Sequence, residues 1–337
     1  MDREEKYLVI SIDTEVDWFD KKTNLLTNVV PSMKLSSEIA SRYGFHLTHF
    51  CTYEVLNDPE CQQEIQRQIA AGPCEIASHL HVWSTPPFQN PNQHQVDEHW
   101  IDGFQSELPD DLLTAKLKSL HNKIHEVTGR FPTSHRAGRW AIDHRTMDFL
   151  EDNGYAVDSS MTHGVSQTQM KGVSEFIKEN DGTCPKTPYY PSRSRLSKPG
   201  RSNSYRVLQV PVPLLRKAHP AVKFNYPGKS WFIERRRVQK RALPTALSFR
   251  PNYLMKNDDY KSLITSLFKD NQLNVFTMMY HSSELIEGQS PSSKTADRTK
   301  QTIARLEMTL ELAAKMGIKP LLLSDTPKIL GAKQWKR

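Results

Sequence analysis

Five short segments of this 337-residue chain hold side chains whose types and spacing could do chemistry. The first, SIDTEVD at 11–17, follows an apolar run. Side chains alternate faces along a strand, so Asp13 and Glu15 point the same way if the strand extends that far. Two ionised carboxylates side by side repel each other, and a cation or a shared proton relieves this. A polar turn with Asp13 capping backbone amides is the plainer alternative. The second segment, CEIASHLHVW at 74–83, places His79 and His81 two residues apart, on one face of an extended chain. Two imidazoles and a carboxylate form an open catalytic zinc site; a structural histidine is the alternative.

The third segment, SHRAGRW at 134–140, contains Arg136, a permanent cation able to keep a carboxylate ionised through paired hydrogen bonds. The fourth, VDSS at 157–160, offers Asp158 to orient a histidine or the arginine, or to cap a helix. In the fifth, VFTMMYHSSEL at 275–285, an apolar run ends in His281, a candidate general acid if a carboxylate holds it. A surface ion pair for Arg136 and a satisfied turn residue for His281 are the alternatives. Trp83 and the following Pro86-Pro87-Phe88 read as an apolar, aromatic wall beside the histidines.

These residues need a frame that gathers strand ends. Strand candidates fall at 7–12, 46–50, 74–78, 133–137, 155–159, 207–212, 274–280 and 319–323. Between them lie helical patterns. Leu113, Leu117, Leu120, Ile124 and Val127 recur at three- and four-residue steps, with Asp110 or Asp111 placed to cap the start and Gly129 to end it. Ile303, Leu306, Leu310 and Ala313 repeat the pattern before Gly317. Such βαβα order predicts an α/β fold with a parallel sheet, open or closed, and helices outside. The stretch 164–205 is rich in Ser, Pro, Lys and Arg and reads as a long loop. The chain is taken as one domain, 1–337, with a basic, loop-rich insertion around 164–250.

Hydrophobic residues make up 37% and charged residues 25%, an ordinary soluble composition. No run approaches the length of a membrane-spanning helix. The charged start, Met1 to Lys6, leads straight into Tyr7–Ile12, too short for a signal peptide's core, which predicts a cytoplasmic protein. Cys51, Cys61, Cys74 and Cys184 form no CxxC pair, so a zinc ribbon or thioredoxin-like motif is excluded. The net charge of +7 concentrates in 216–241, with ERRRVQKR at 234–241 its extreme. That cluster reads as a solvated face, or as a surface for phosphate or nucleic acid. Phe224, Tyr226, Trp231 and Phe232 precede it without any known nucleic-acid motif, so no nucleic-acid partner is expected.

The order of an Asp-containing first strand, an E-I-x-x-H strand, an R-x-x-x-W strand end, a D-S-S strand end and a late apolar strand ending in His resembles the NodB-like polysaccharide deacetylases. The likeness runs from Asp13 to His281, nearly the whole chain. It is nearest a branch whose second motif reads H-L-H-x-W-x-x-P-P, associated with bacterial surface-polysaccharide gene sets. The resemblance implies a distorted (β/α) barrel of about seven parallel strands and a metal-dependent enzyme that removes acetyl groups from N-acetylated sugars. It implies Asp13 as catalytic base, Arg136 as its tether, His79 as a metal ligand, His281 as the group that protonates the leaving amine, and Asp158 as the acid that tunes His281.

Two positions depart from the family pattern. Thr14 stands where the family has a metal-binding Asp, and Trp83 where it has the second histidine. Strand alternation moves both duties to neighbours on the same face, giving Glu15, His79 and His81 as ligands of a divalent metal, zinc by donor type. Three alternatives stay open at this level: hydrolysis of another amide, a sugar-binding protein without metal, and nucleic-acid binding through 216–241. A cytoplasmic enzyme would meet an immature, nucleotide- or lipid-linked glycan, whose phosphate the basic segment could contact.

Overall fold

The computed structural model describes residues 5–16, 26–89, 96–174, 177–216, 246–251 and 253–330. Twelve strands occur among them: β1 (Tyr7–Thr14), β2 (Leu47–Cys51), β3 (Cys74–Leu80), β4 (Ser134–Ala137), β5 (Val157–Asp158), β6 (Pro191–Ser192), β7 (Arg195–Pro199), β8 (Leu208–Gln209), β9 (Leu214–Arg216), β10 (Ala246–Ser248), β11 (Val275–His281) and β12 (Lys319–Pro320). Seven of them run parallel in the order β11-β1-β2-β3-β4-β5-β8, and β12 extends this sheet beside the start of β1. The sheet curls into a distorted, incompletely paired barrel. β8 and β11 are not paired with each other. Phe249 spans that gap: its N–H donates to Pro213 O at 2.8 Å, and its carbonyl accepts from Met279 N at 3.0 Å.

Alternation along the central strand fixes what faces the lumen. Leu8, Ile10 and Ile12 pack outward against Ile264 and Leu267 of the helix Asn257–Phe268 and Leu306 and Leu310 of the helix Ala296–Lys315. Val9 packs inward with Phe50, Ala77, Val157 and Val275. Ser11 and Asp13 share the inward parity, which carries the first carboxylate into the barrel.

The helices obey their local signals with one shift. Asp143 caps the helix His144–Asp152 by accepting from Thr146 N at 2.9 Å, and Thr295 caps Ala296–Lys315 through Arg298 N at 3.4 Å. The helix Asp110–Thr128 begins one residue earlier than the capping pattern predicts. Pro109 occupies its cap and both aspartates lie in the first turn, where the helix dipole favours them. Gly129 ends it at φ +71°, a left-handed turn that glycine adopts without strain.

The stretch 164–205 is more built than its composition predicts. β6 and β7 form an antiparallel hairpin, and Cys184, Tyr189, Leu196 and Tyr205 are buried against Leu150 and Tyr155. Its few large side chains, scattered among Ser, Pro and Arg, supply the apolar contact that a composition average hides. The basic run 234–241 and its preceding aromatic residues lie outside the described residues. No helix among the described residues is long and apolar enough to cross a membrane.

Candidate active site

The parallel register sets Asp13 on β1 beside His281 at the end of β11, and His79 on β3 beside Arg136 on β4. All four reach the carboxyl ends of the strands, the end of such barrels where loops converge. Glu15 and His81 lie just past β1 and β3. Sequence reasoning singled out these six residues, and the fold gathers them at one point.

Arg136 is fully buried and uses its whole guanidinium. Nη1 donates to Asp13 Oδ1 at 2.5 Å, Nη2 to Ser11 Oγ at 2.9 Å and Ser159 Oγ at 3.2 Å, and Nε to the Ser159 carbonyl at 3.2 Å. Its Cζ stands 4.2 Å from the Phe50 ring centre and 5.3 Å from that of Trp140. Trp140 reaches this position because Arg139 and Trp140 both take left-handed backbone angles, at φ +53° and +61°. Two adjacent non-glycine residues held this way carry strain, which is common at functional sites. Burial alone would push the Asp13 carboxyl up, but Arg136, then His79 and His281, outweigh it and hold it below the usual carboxylate range. Oδ1 is engaged by arginine, while Oδ2 lies 4.0 Å from His79 Nε2 and 3.9 Å from His281 Nε2.

Glu15, His79 and His81 are buried, and they offer ligand atoms within 4.8 Å of one another. Glu15 Oε2 is 3.5 Å from His79 Nε2 and 3.0 Å from His81 Nε2. The His79 ring is oriented from behind: Nδ1 donates to the Arg136 carbonyl at 2.8 Å, which fixes a proton on Nδ1 and turns Nε2 toward Glu15. Burial opposes ionisation of Glu15, yet His81, His281 and His79 keep its carboxyl well below the ordinary range. One carboxylate and two imidazoles, one already turned with Nε2 toward the carboxylate, fit an open site for a divalent cation of the zinc type.

Thr14 and Trp83, the two positions that depart from the expected motifs, make other contacts. Thr14 has the opposite parity to Asp13, and its hydroxyl meets His49 Nδ1 at 2.9 Å. Trp83 is buried and stacks on the His81 ring, with centres 4.3 Å apart. It backs the histidine instead of lining an open wall. Gly138 is required here by close approach: a Cβ would stand 2.3 Å from the Leu80 carbonyl and 2.7 Å from His81 Cδ2.

His281 points Nε2 at the carboxylates, 3.9 Å from Asp13 Oδ2 and 3.8 Å from Glu15 Oε1. Its Nδ1 lies 2.7 Å from Glu284 Oε1, which also accepts from the His281 backbone N–H at 3.2 Å and pairs with Arg250. Burial would lower the His281 imidazole, but Glu15, Glu284 and Asp13 raise it above the ordinary histidine value. Burial likewise opposes Glu284, while Arg250 and then His281 hold its carboxyl low.

Asp158 does not join this group. Its carboxylate accepts from Ser160 N at 2.9 Å, Ser160 Oγ at 2.7 Å and Gln209 Nε2 at 2.7 Å, and none of these described contacts is with His281. Val157 packs into the lumen, so Asp158, next along the strand, takes the other face. Burial pushes its carboxyl up to about 6, against the pull of Ser160 and Gln209. Its effect on the site is indirect, because Ser160 Oγ accepts from Ala137 N at 2.8 Å and steadies the turn after Arg136. Glu284 and Arg250 were missed by sequence reasoning. Glu284 carried a local signal, three residues after His281; Arg250 carried none.

No known family's sequence profile matches the chain, and no curated protein does. Its fold, however, is that of solved structures described as polysaccharide deacetylases. A Mycobacterium smegmatis protein assigned as a polysaccharide deacetylase superposes with a TM-score of 0.55 at 15% identity, covering 98% of this chain and 92% of that one. A Parabacteroides distasonis protein assigned as a glycoside hydrolase/deacetylase gives 0.61 at 11% identity, over 98% and 72%. The 4-alpha-glucanotransferase of Thermococcus litoralis gives 0.52 at 10% identity, over 98% of this chain and 41% of that one.

Proposed function

We propose that this protein is a metal-dependent deacetylase that hydrolyses the N-acetyl group of an amino sugar in a glycan or glycan precursor. The fold by itself does not choose the reaction, since a glucanotransferase shares it. The observation that carries the proposal is the convergence around Glu15: the His79 and His81 imidazoles on one side, the arginine-held Asp13 beside them, and the His281 Nε2 opposite. A ligand set, a carboxylate kept ionised and a histidine kept protonated are the three parts that amide hydrolysis needs.

Glu15, His79 and His81 hold the cation, which when bound supplies Lewis acidity to the acetyl carbonyl and makes water a better nucleophile near neutral pH. Arg136 keeps Asp13 ionised, so Oδ2 can take a proton from the attacking water. The water oxygen bonds to the acetyl carbon, and the carbon–nitrogen bond breaks with its electron pair leaving on nitrogen. His281 Nε2 gives that nitrogen a proton, releasing a free amine and acetate. General acid and base groups of this kind contribute roughly 10² to 10⁴ in rate each.

The test is acetate release from N-acetylglucosamine oligomers by purified protein, before and after chelation and with zinc restored. Release should stop on chelation, return with zinc, and fall at least about 10²-fold in Asp13→Asn. Protein that carries stoichiometric zinc and binds the oligomers without releasing acetate would overturn the proposal in favour of a sugar-binding role.

A further inference from the structure

We infer that Glu284, clamped by Arg250, is the residue that positions His281 for proton delivery, in place of Asp158. The inference rests on the deacetylase reading and assigns a residue within its machinery.

Three observations carry it. The first is directional. A carboxylate can only accept, so the 2.7 Å contact from His281 Nδ1 to Glu284 Oε1 places a proton on Nδ1 and turns Nε2 toward Asp13 and Glu15. Arg250 Nη2 also stands 3.1 Å from Nδ1, but two donors cannot bond each other, and Glu284 is the acceptor they share. The second is burial. The Glu284 side chain is 3% exposed and that of Arg250 is 30% exposed, so the guanidinium reaches in from the rim to neutralise a carboxylate that could not stay ionised alone. The third is the position of Asp158, whose carboxylate is taken up by Ser160 and Gln209 on the outer face of the sheet.

Capping the short turn Ser282–Leu285 would be the plainer role for Glu284, and the same oxygen does accept from the His281 backbone N–H. A turn cap needs no imidazole contact and no guanidinium. The combination of Arg250, Glu284 and His281 Nδ1 is what points past capping. Glu284 touches no reacting atom; it acts through His281.

The two roles separate by leaving group. An amide cannot expel its nitrogen without a proton from His281 Nε2, whereas an aryl acetate releases a phenolate that needs none. Wild type, Glu284→Ala and Glu284→Gln should be compared on N-acetylglucosamine oligomers and on 4-nitrophenyl acetate, with zinc content and thermal midpoint measured for each. Glu284→Ala is expected to lower amide kcat about 10²-fold at nearly unchanged KM while aryl ester turnover falls far less. Glu284→Gln, whose amide oxygen can still accept from Nδ1, should fall between. Nitrogen-15 NMR of the histidines should show the His281 Nδ1 proton in wild type and its exchange broadening in Glu284→Ala. Equal loss on both substrates, an unprotonated Nδ1 in wild type, or full amide turnover in Glu284→Ala overturns the inference. Wild-type protein that cleaves neither substrate overturns the parent reading, and this one with it.

Discussion

Each group at the site is set by what stands behind it. Asp13 stays ionised because the buried Arg136 guanidinium donates to it and is itself held by Ser11 and Ser159, and His79 aims because the Arg136 carbonyl holds its Nδ1. Gly138 shows how little slack exists. A methyl group there meets a backbone carbonyl at 2.3 Å, and that carbonyl belongs to Leu80, between the two proposed ligands. Gly138→Ala should therefore displace His81 and weaken zinc binding about 10- to 100-fold, the range found when the support behind a ligand is lost. Competition with a fluorescent chelator measures this directly; unchanged affinity would mean that β3 and β4 can part without cost.

At the scale of elements, strand parity does most of the placing. It sends Asp13 inward and Thr14 outward to His49, while Glu15, just beyond the strand, turns its carboxylate to His81. The loop after β3 has a different anchor. Lys116, fully buried in the helix Asp110–Thr128, donates to the carbonyls of Thr85 at 2.5 Å and Pro87 at 2.8 Å. Burial lowers its ammonium to about 8. Lys116→Met keeps most of the stem's packing but leaves both carbonyls without that donor. It should cost about 1–3 kcal/mol of stability by denaturant titration. Pro87 is exposed and Phe88 half-buried in the loop that follows the proposed ligands, so the change should raise KM more than it lowers kcat.

Over the whole molecule, buried neutral histidines add to the loss of stability in acid. Burial holds His49 at about 4 and His135 at about 3, with His79 and Arg136 adding to the second. Both values lie below the unfolded value of about 6.5, so the unfolded chain binds more protons in that window. Stability should be unaffected by these groups above pH 6.5 and fall as pH drops below it. The loss per histidine should be about 3 kcal/mol by pH 4.5. Denaturant midpoints from pH 7.5 to 4.5 check the slope, and His49→Gln should remove its share.

The sequence by itself determined the parallel α/β sheet and six of the gathered site residues, but left open whether the sheet closes. Both are written in local periodicity: an alternation of two along strands, three to four along helices, and a polar residue wherever an apolar run stops. It did not determine which face Asp158 takes, because a two-residue strand carries too little pattern to fix its parity. It also did not determine the partner of His281. Glu284 lies only three residues away, but its meaning depends on Arg250, thirty-one residues back along the chain from His281. Only closure of the barrel beside β11, through Phe249, brings that arginine to the rim. Contacts of this kind join segments with no shared periodicity, so no local rule could have paired them.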